Sequence, residues 1–509
     1  MIERNPSEAQ AIGPAACSQM TLRLLVLFIC AIPLVFSVPS LGDPFGQTEE
    51  GVNAAIWALG GRNILEEGPV AASFGAKVAP YWSAQGGIYA HHPPLPVWMA
   101  ALAQLPGTWE GWPRLVALLL AGAALFILFQ TIRLFVENEL AAAATAVVAT
   151  CPYVLCYARM PTTLTLATPL FTFLLRVALL RSLRDQPWRW TFLVAIAAAV
   201  FSSWDGFLGA AAIVLYITGL ELHGAYRKGA AHGSWFRALM PGGVFALAVV
   251  VLAFHLVWAN GGFRELLGWA QLRMGMGENF PDVFDWGRRQ IGYIASGVGW
   301  LTFALLVGVP MLFSRRDRPR GLAVALLLSA APGVGMTVLF RNGAHHHAFW
   351  AYNLILPAAF AVALWLHAIT ASGRRAALLV MGILLGIQAI VGFRVAGDQL
   401  GEERGLNSVG ALVRGYFAAH RVPEVKMLSA YDFHPYVSWY LRVPTEIALS
   451  AKDVHHRLAS GEWEADDAVL IDTEFTRNLG CESFPVVGTS RNRRWVVANA
   501  SAVDGACAP

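Results

Sequence analysis

Residues 22–63 read LRLLVLFICAIPLVFSVPSLGDPFGQTEEGVNAAIWALGGRN. The first part, Leu22–Val38, is apolar apart from Arg23. It is long enough to cross a bilayer core, which takes about 20 apolar residues as a helix. No small-x-small cleavage site follows it, so it reads as a retained first helix rather than a signal peptide. The second part changes character within a few residues. Asp43, Glu49 and Glu50 stand directly beyond the apolar run, and a helix-like segment from Val52 to Leu65 follows. A greasy span that delivers acids to the membrane surface sets the reading of the whole chain.

Similar apolar runs recur outward from this stretch, near 113–132, 139–157, 163–180, 190–203, 207–222, 239–258, 294–313, 321–340, 349–369 and 376–394. With the first they make about eleven expected transmembrane helices. The bulk composition agrees. Of 509 residues, 56% are hydrophobic and only 14% charged, against roughly 25% charged in soluble domains. The charge is concentrated between the runs and after Val395, so the chain up to that point needs lipid as its solvent.

Arginine and lysine placement orients the helices, because short cytoplasmic loops are enriched in them. With the N-terminus inside, the inner loops receive Arg133; Arg181, Arg184 and Arg189; Arg227, Lys228 and Arg237; Arg315, Arg316, Arg318 and Arg320; and Arg374 and Arg375. Every short basic cluster then falls on one side. The expected organisation is a cytoplasmic N-terminus (1–21), a transmembrane domain (22–395) whose first outer loop runs from 40 to 112, and an extracytoplasmic domain (396–509). The tail reads as a small α/β domain, with helical spacing over Asn407–His420 and His434–Leu441 and strands over Val425–Ser429, Ala468–Ile471 and Trp495–Val497. It carries no nucleotide fingerprint, and nothing in the chain points to nucleic acid. Cys17, Cys30, Cys151, Cys156, Cys481 and Cys507 form no CxxC pair and no metal-ligand array. Cys481 and Cys507 both lie in the outer tail, where a disulfide and two free thiols are both open readings.

Chemistry-bearing residues gather on the outer side. The first loop ends Ile88-Tyr89-Ala90-His91-His92-Pro93-Pro94, with two prolines setting the chain direction after the histidine pair. A loop this long is usually functional or disordered, and its aromatic content argues against disorder. Arg62, Arg159, Arg341 and His345-His346-His347 are expected on the same side. So is the aromatic and charged stretch Phe263–Trp286, a candidate interfacial helix. A carboxylate at the surface suits a general base toward a hydroxyl. Imidazoles and guanidiniums suit a phosphate leaving group. The bland alternatives are that Glu49 and Glu50 cap a helix N-terminus, and that the histidines are structural. Three adjacent histidines are also poorly spaced as metal ligands.

The first-loop pattern resembles the GT-C superfamily of membrane glycosyltransferases, in the branch of protein O-mannosyltransferases and aminoarabinose transferases (glycosyltransferase family 39-like). The resemblance rests on Thr48-Glu49-Glu50-Gly51-Val52-Asn53, on Gly61-Arg62-Asn63-Ile64-Leu65-Glu66-Glu67-Gly68, and on His91-His92-Pro93-Pro94-Leu95. It is supported by Pro113-Arg114-Leu115, by Tyr157-Ala158-Arg159, and by His345–His347 ahead of Pro357. It implies a GT-C-like polytopic helical membrane protein in a bacterial inner membrane. The implied activity is transfer of a sugar from a polyprenyl-phosphate donor to an extracytoplasmic glycan, lipid or protein hydroxyl, with inversion. By the same resemblance the acidic position falls on Glu50, then Glu49, with Asp43 as a further candidate. His91, His92, Arg62, Arg159, His346 and His347 are the candidates for the donor phosphate. No cofactor is implied with certainty, and a divalent metal is left open. The sequence departs from the family at Arg159-Met160-Pro161-Thr162, where many members place Pro-Asp. Asp205 is the candidate to replace that missing acid. A transporter or flippase, or a non-catalytic relative acting in envelope assembly, are the competing readings. Charge-poor spans and the absence of an internal repeat speak against transport.

Overall fold

The computed structural model describes residues 14–75, 77, 92–227, 232–276, 282–299, 308, 321–370, 373–420, 425–429, 435–441, 445–448, 450–473, 485–490 and 494–507. Among these, eight helices are long and apolar enough to cross a membrane, and two shorter apolar helices lie between them. The chain is a polytopic helical membrane protein with a small sheet near its C-terminus. Most of the span expected over 294–313, together with His91 and Cys481, lies outside the described residues.

The bundle begins with α1 (Pro14–Ser37), which ends beneath the acid loop. Helices α2 (Glu49–Glu67) and α3 (Leu95–Ala103) lie in the first loop and pack on each other through Ile56, Ile64, Val97 and Ala100. Then come α4 (Gly111–Ile132), α5 (Asn138–Ala149) and α6 (Pro152–Tyr157). The run expected as one span over 139–157 is therefore broken. Cys151 is extended and Pro152 starts a new helix, as proline favours the first helical position and cannot continue one. Helices α7 (Thr163–Arg184), α8 (Trp190–Ser202), α9 (Trp204–Arg227) and α10 (His232–Ala259) complete the first part of the bundle. Arg181 near the end of α7 pairs with Glu221 near the end of α9, so those two ends lie together.

Helices α11 (Phe263–Met274) and α12 (Val283–Val298) follow. Next are α13 (Leu322–Leu339), the short α14 (Arg341–His346), and α15 (Ile355–Thr370), entered through a 3-10 turn at Ala348–Leu354. The segment Ala348–Ile369 is 94% buried, whereas the spans of α1 and α10 are 22% and 17% buried. The aromatic entry and α15 therefore form the centre of the bundle, and α1 and α10 turn their apolar faces to lipid. Helix α16 (Arg374–Leu406) leaves the bundle and carries the chain without a break into the C-terminal part.

There the chain forms a five-stranded sheet of order β2-β1-β3-β5-β4, from β1 (Val425–Leu428), β2 (Thr445–Ala448), β3 (Ala468–Asp472), β4 (Gly488–Thr489) and β5 (Trp495–Asn499). The β2-β1-β3 side is parallel, and β5 pairs antiparallel with β3 and β4. One face packs Met427, Leu470 and Trp495 against Phe45, Ala55 and Leu59 of the first loop. The other packs Val469 and Val496 against Val454, Trp463 and Val503. The C-terminal domain thus shares a core with the acid loop.

Candidate functional site

Thr48 starts α2. Its backbone is extended and its hydroxyl accepts from the Gly51 N–H at 2.9 Å, a standard N-cap arrangement. Glu49 and Glu50 are the first two helical residues. Neighbouring helix positions point about 100° apart, so the two acids enter different surroundings.

Glu50 turns inward and is fully buried. The Arg114 guanidinium holds both of its oxygens, Nε to Oε1 at 2.8 Å and an Nη to Oε2 at 3.0 Å. Arg159, also buried, stands 3.6 Å from Oε2 and donates to Glu403 at 2.5 Å. Arg114 further donates to the Leu41 and Asp43 carbonyls and lies over the Phe45 ring. Burial alone would raise the Glu50 pKa, but the two arginines outweigh it and hold the carboxyl below the usual range. On the rim of this knot, Arg404 donates to Asp43 at 2.8 Å. Asp43 and Arg159 therefore sit with Glu50 in one interlocked ion cluster.

Glu49 turns outward and its side chain is 37% exposed. Its Oε1 lies 3.2 Å from His347 Nδ1. His347 stacks on Trp350, with ring centroids 6.1 Å apart. Trp350 in turn lines a cavity of about 320 Å³ together with Trp204, Phe263, Leu267 and Phe340. Its polar lining comes from His92 and Arg273. Helix α11, which covers the first half of the stretch Phe263–Trp286, forms one wall. The three consecutive histidines diverge: His345 points to Asp285, 3.5 Å away, while His347 reaches Glu49. His346 packs edge-on against His345. Burial, with His345 and His347 beside it, lowers the His346 pKa.

His92 packs edge-on against Trp57 at 5.8 Å. Burial, reinforced by Arg273 and His347, pushes its pKa down to about 3. It is a neutral imidazole at physiological pH and serves the cavity as a hydrogen-bonding group rather than a cation. A histidine whose folded pKa lies below its unfolded value of about 6.5 contributes stability above that pH and loses it as pH falls. Between pH 6.5 and 5 the loss is on the order of 2 kcal/mol. A His92→Gln variant is expected to show a correspondingly flatter melting temperature over that interval. Parallel pH profiles for the two proteins would refute the assignment.

Other sequence candidates lie apart. Arg62 pairs with Glu66 at 2.6 Å and donates to the Trp439 carbonyl at 3.0 Å. It stands about 18 Å along α2 from Glu50, at 1.5 Å per residue, against the C-terminal domain. Asp205 is buried at the start of α9 and bonded by the Asn353 amide at 2.5 Å. Thr162, after Pro161, stands at the N-cap position of α7. Among the described residues no three His, Cys, Asp or Glu side chains are grouped to hold a metal ion. Sequence reasoning missed Arg114 as the partner of Glu50, Arg273 in the cavity, and Glu403 and Asn407 at the end of α16. Arg114 had a signal, since a lone arginine at the head of an apolar helix needs an acid. The other three had none, because their partners are set by tertiary packing.

No family model and no curated protein matches the sequence. Solved structures do. The chain is similar to ArnT from Cupriavidus metallidurans bound to undecaprenyl phosphate, at 15% identity over 96% of this chain and 98% of that one, with a TM-score of 0.59. It is also similar to the archaeal oligosaccharyltransferase AglB from Archaeoglobus fulgidus in complex with an inhibitory peptide and a dolichol-phosphate. There the identity is 11% over 90% of this chain and 70% of that one, with a TM-score of 0.52. The same archaeal enzyme tethered to an acceptor peptide matches at 13% identity over 95% and 74% of the two chains, with a TM-score of 0.53. The chain shares the overall fold of these structures.

Proposed function

We propose that the protein is a membrane glycosyltransferase that moves a sugar from a polyprenyl-phosphate donor to a hydroxyl acceptor on the extracytoplasmic side. The observation that carries this reading is the outward carboxylate of Glu49, coupled through His347 to the wall of an apolar cavity that also holds Arg273 and His92. Support comes from the GT-C fold and from the lipid phosphates bound by the structures it resembles.

In this reading the apolar wall receives the first part of the lipid chain and Arg273 faces the phosphate. The acceptor oxygen attacks the anomeric carbon from the side opposite the phosphate. The sugar–phosphate bond breaks, its electron pair stays on the lipid phosphate, and the configuration inverts. Glu49 takes the acceptor proton as general base, while Arg273 balances the charge gained by the phosphate. Glu50 is assigned a different part: clamped by Arg114 and closed to solvent, it holds the N-terminus of α2 in place. The placement of the arginines supports the loop and the C-terminal domain lying outside, and the bacterial inner membrane is what the family resemblance implies.

The test is consumption of donor. Purified full-length protein in nanodiscs, given a panel of polyprenyl-phosphate sugars and a hydroxyl acceptor, is expected to release free polyprenyl phosphate from at least one of them. Release from none, with the protein folded and each donor shown to partition into the discs, would remove the proposal.

A further inference from the structure

The cap that starts α2 is itself held by a residue 359 positions away in the sequence. Asn407 follows directly on α16 and is buried. Its Oδ1 accepts twice from Thr48, from the hydroxyl at 2.9 Å and from the backbone N–H at 3.2 Å. The Thr48 hydroxyl has one proton. Spending it on Asn407 leaves an oxygen lone pair for the Gly51 N–H, which is the bond that caps the helix.

The backbone closes on Asn407 from both sides of the turn. A Cβ on Gly46 would stand 2.4 Å from Asn407 Cα, and one on Gly51 would stand 2.6 Å from Asn407 Oδ1. Neither position has room for a side chain, so the acid loop and the end of α16 are fitted to each other without slack. The turn of α16 just before Asn407 supplies Glu403 to Arg159 and Arg404 to Asp43. One helix end therefore grips the loop at Asp43 and Thr48 and holds Arg159 beside it.

We propose that Asn407 is a positioning residue for the site, resting on the reading of Glu49 as base. Its side-chain oxygen locks the Thr48 cap and so sets the rotation of α2 about its axis. That rotation decides which acid faces the opening. With the cap locked, Glu49 stands beside His347 and Glu50 sits in the Arg114 clamp. A rotation of a few tens of degrees spoils both contacts. The C-terminal segment thus aims the acids without touching substrate.

Three variants of the full-length protein in nanodiscs test this. Asn407→Ala removes the acceptor, Asn407→Asp keeps an oxygen in its place, and Thr48→Val removes the hydroxyl at nearly constant shape. Asn407→Ala and Thr48→Val are expected to lower kcat ten- to a hundredfold with donor KM within about twofold, and Asn407→Asp to return most of the loss. Hydrogen exchange at the Gly51 amide should accelerate in Asn407→Ala and Thr48→Val but not in Asn407→Asp. Wild-type kcat in Asn407→Ala, equal loss in Asn407→Ala and Asn407→Asp, or an unchanged Gly51 amide in Thr48→Val would overturn the proposal. If the wild type turns over no donor, the functional reading falls, while the exchange experiment still decides the role of Asn407. If Asn407→Ala fails to fold, Asn407→Leu, which keeps the volume and lacks the acceptor, carries the same decision.

Discussion

Glu49→Gln is expected to lower sugar transfer by two to four orders of magnitude, the usual worth of a general base, and to leave the melting temperature within a degree or two of wild type. The carboxylate is more than a third exposed and lies against His347. Glutamine keeps the size of the side chain and an oxygen that can face the imidazole, so little stability is at stake in so exposed a contact. It cannot take the proton of an acceptor hydroxyl. In the proposed reading donor binding depends on the cavity wall and Arg273, neither of which changes, so the loss is expected in kcat with donor KM nearly constant. Single-turnover transfer with radiolabelled donor separates the two terms. Transfer by Glu49→Gln at more than a tenth of the wild-type rate would shift the base to another group. The effect of Glu50→Gln is expected to be different in kind. It empties the Arg114 clamp and acts first on stability.

The distinction between those neighbouring acids shows where sequence reading stops. The apolar runs were legible because hydrocarbon admits only long apolar helices or closed barrels; among the described residues, eight of the eleven expected spans coincide with helices long and apolar enough to cross a membrane, and two more overlap shorter apolar helices. The acid loop was legible because a carboxylate pair beside a span is uncommon in composition alone. Three of the five strands were read from their β-branched runs. Thr445–Ala448 and Gly488–Thr489 were not, being short, and the latter being made of residues with little pattern to show.

The orientation of Glu49 and Glu50 was beyond reach for a physical reason. Sequence places them on one helix turn, but which one faces inward depends on Arg114, Asn407 and Arg159, drawn from three distant segments. The resemblance to a family favoured Glu50, and the packing gives Glu50 two arginines and no exposure. Arg62 and Arg159 illustrate the same limit. Each is a cation that the sequence offered for the donor phosphate, yet one is held by the Trp439 carbonyl and the other by Glu403. Cation type is written in the sequence; the partner is chosen by the fold.

Arg114→Leu is expected to be the most destabilising single change in the acid loop's surroundings, by about 3–5 kcal/mol, because it strands a buried carboxylate. Glu50 has no exposure, and Arg159 at 3.6 Å is already engaged by Glu403. The Leu41 and Asp43 carbonyls lose their donor at the same time. If the damage is one of charge, removing the charge should repair it. The double variant Arg114→Met with Glu50→Leu fills similar volume without ions, and such replacements are often neutral or stabilising. It is therefore expected to recover most of the loss in stability while remaining inactive, since α2 has lost the clamp that orients it. The pH dependence separates the same cases. The Glu50 carboxyl lies below its unfolded value of about 4.3, so its contribution is fully present above that pH and is lost as pH falls through the folded value. Wild type should lose this share of stability below about pH 4.3, and the double variant should lack it. Melting curves of the three proteins in nanodiscs between pH 3.5 and pH 7 decide the matter. A double variant as unstable as Arg114→Leu would mean that the guanidinium matters through its packing over Phe45 and its carbonyl bonds. The Glu50 charge would then be incidental to how the loop is held.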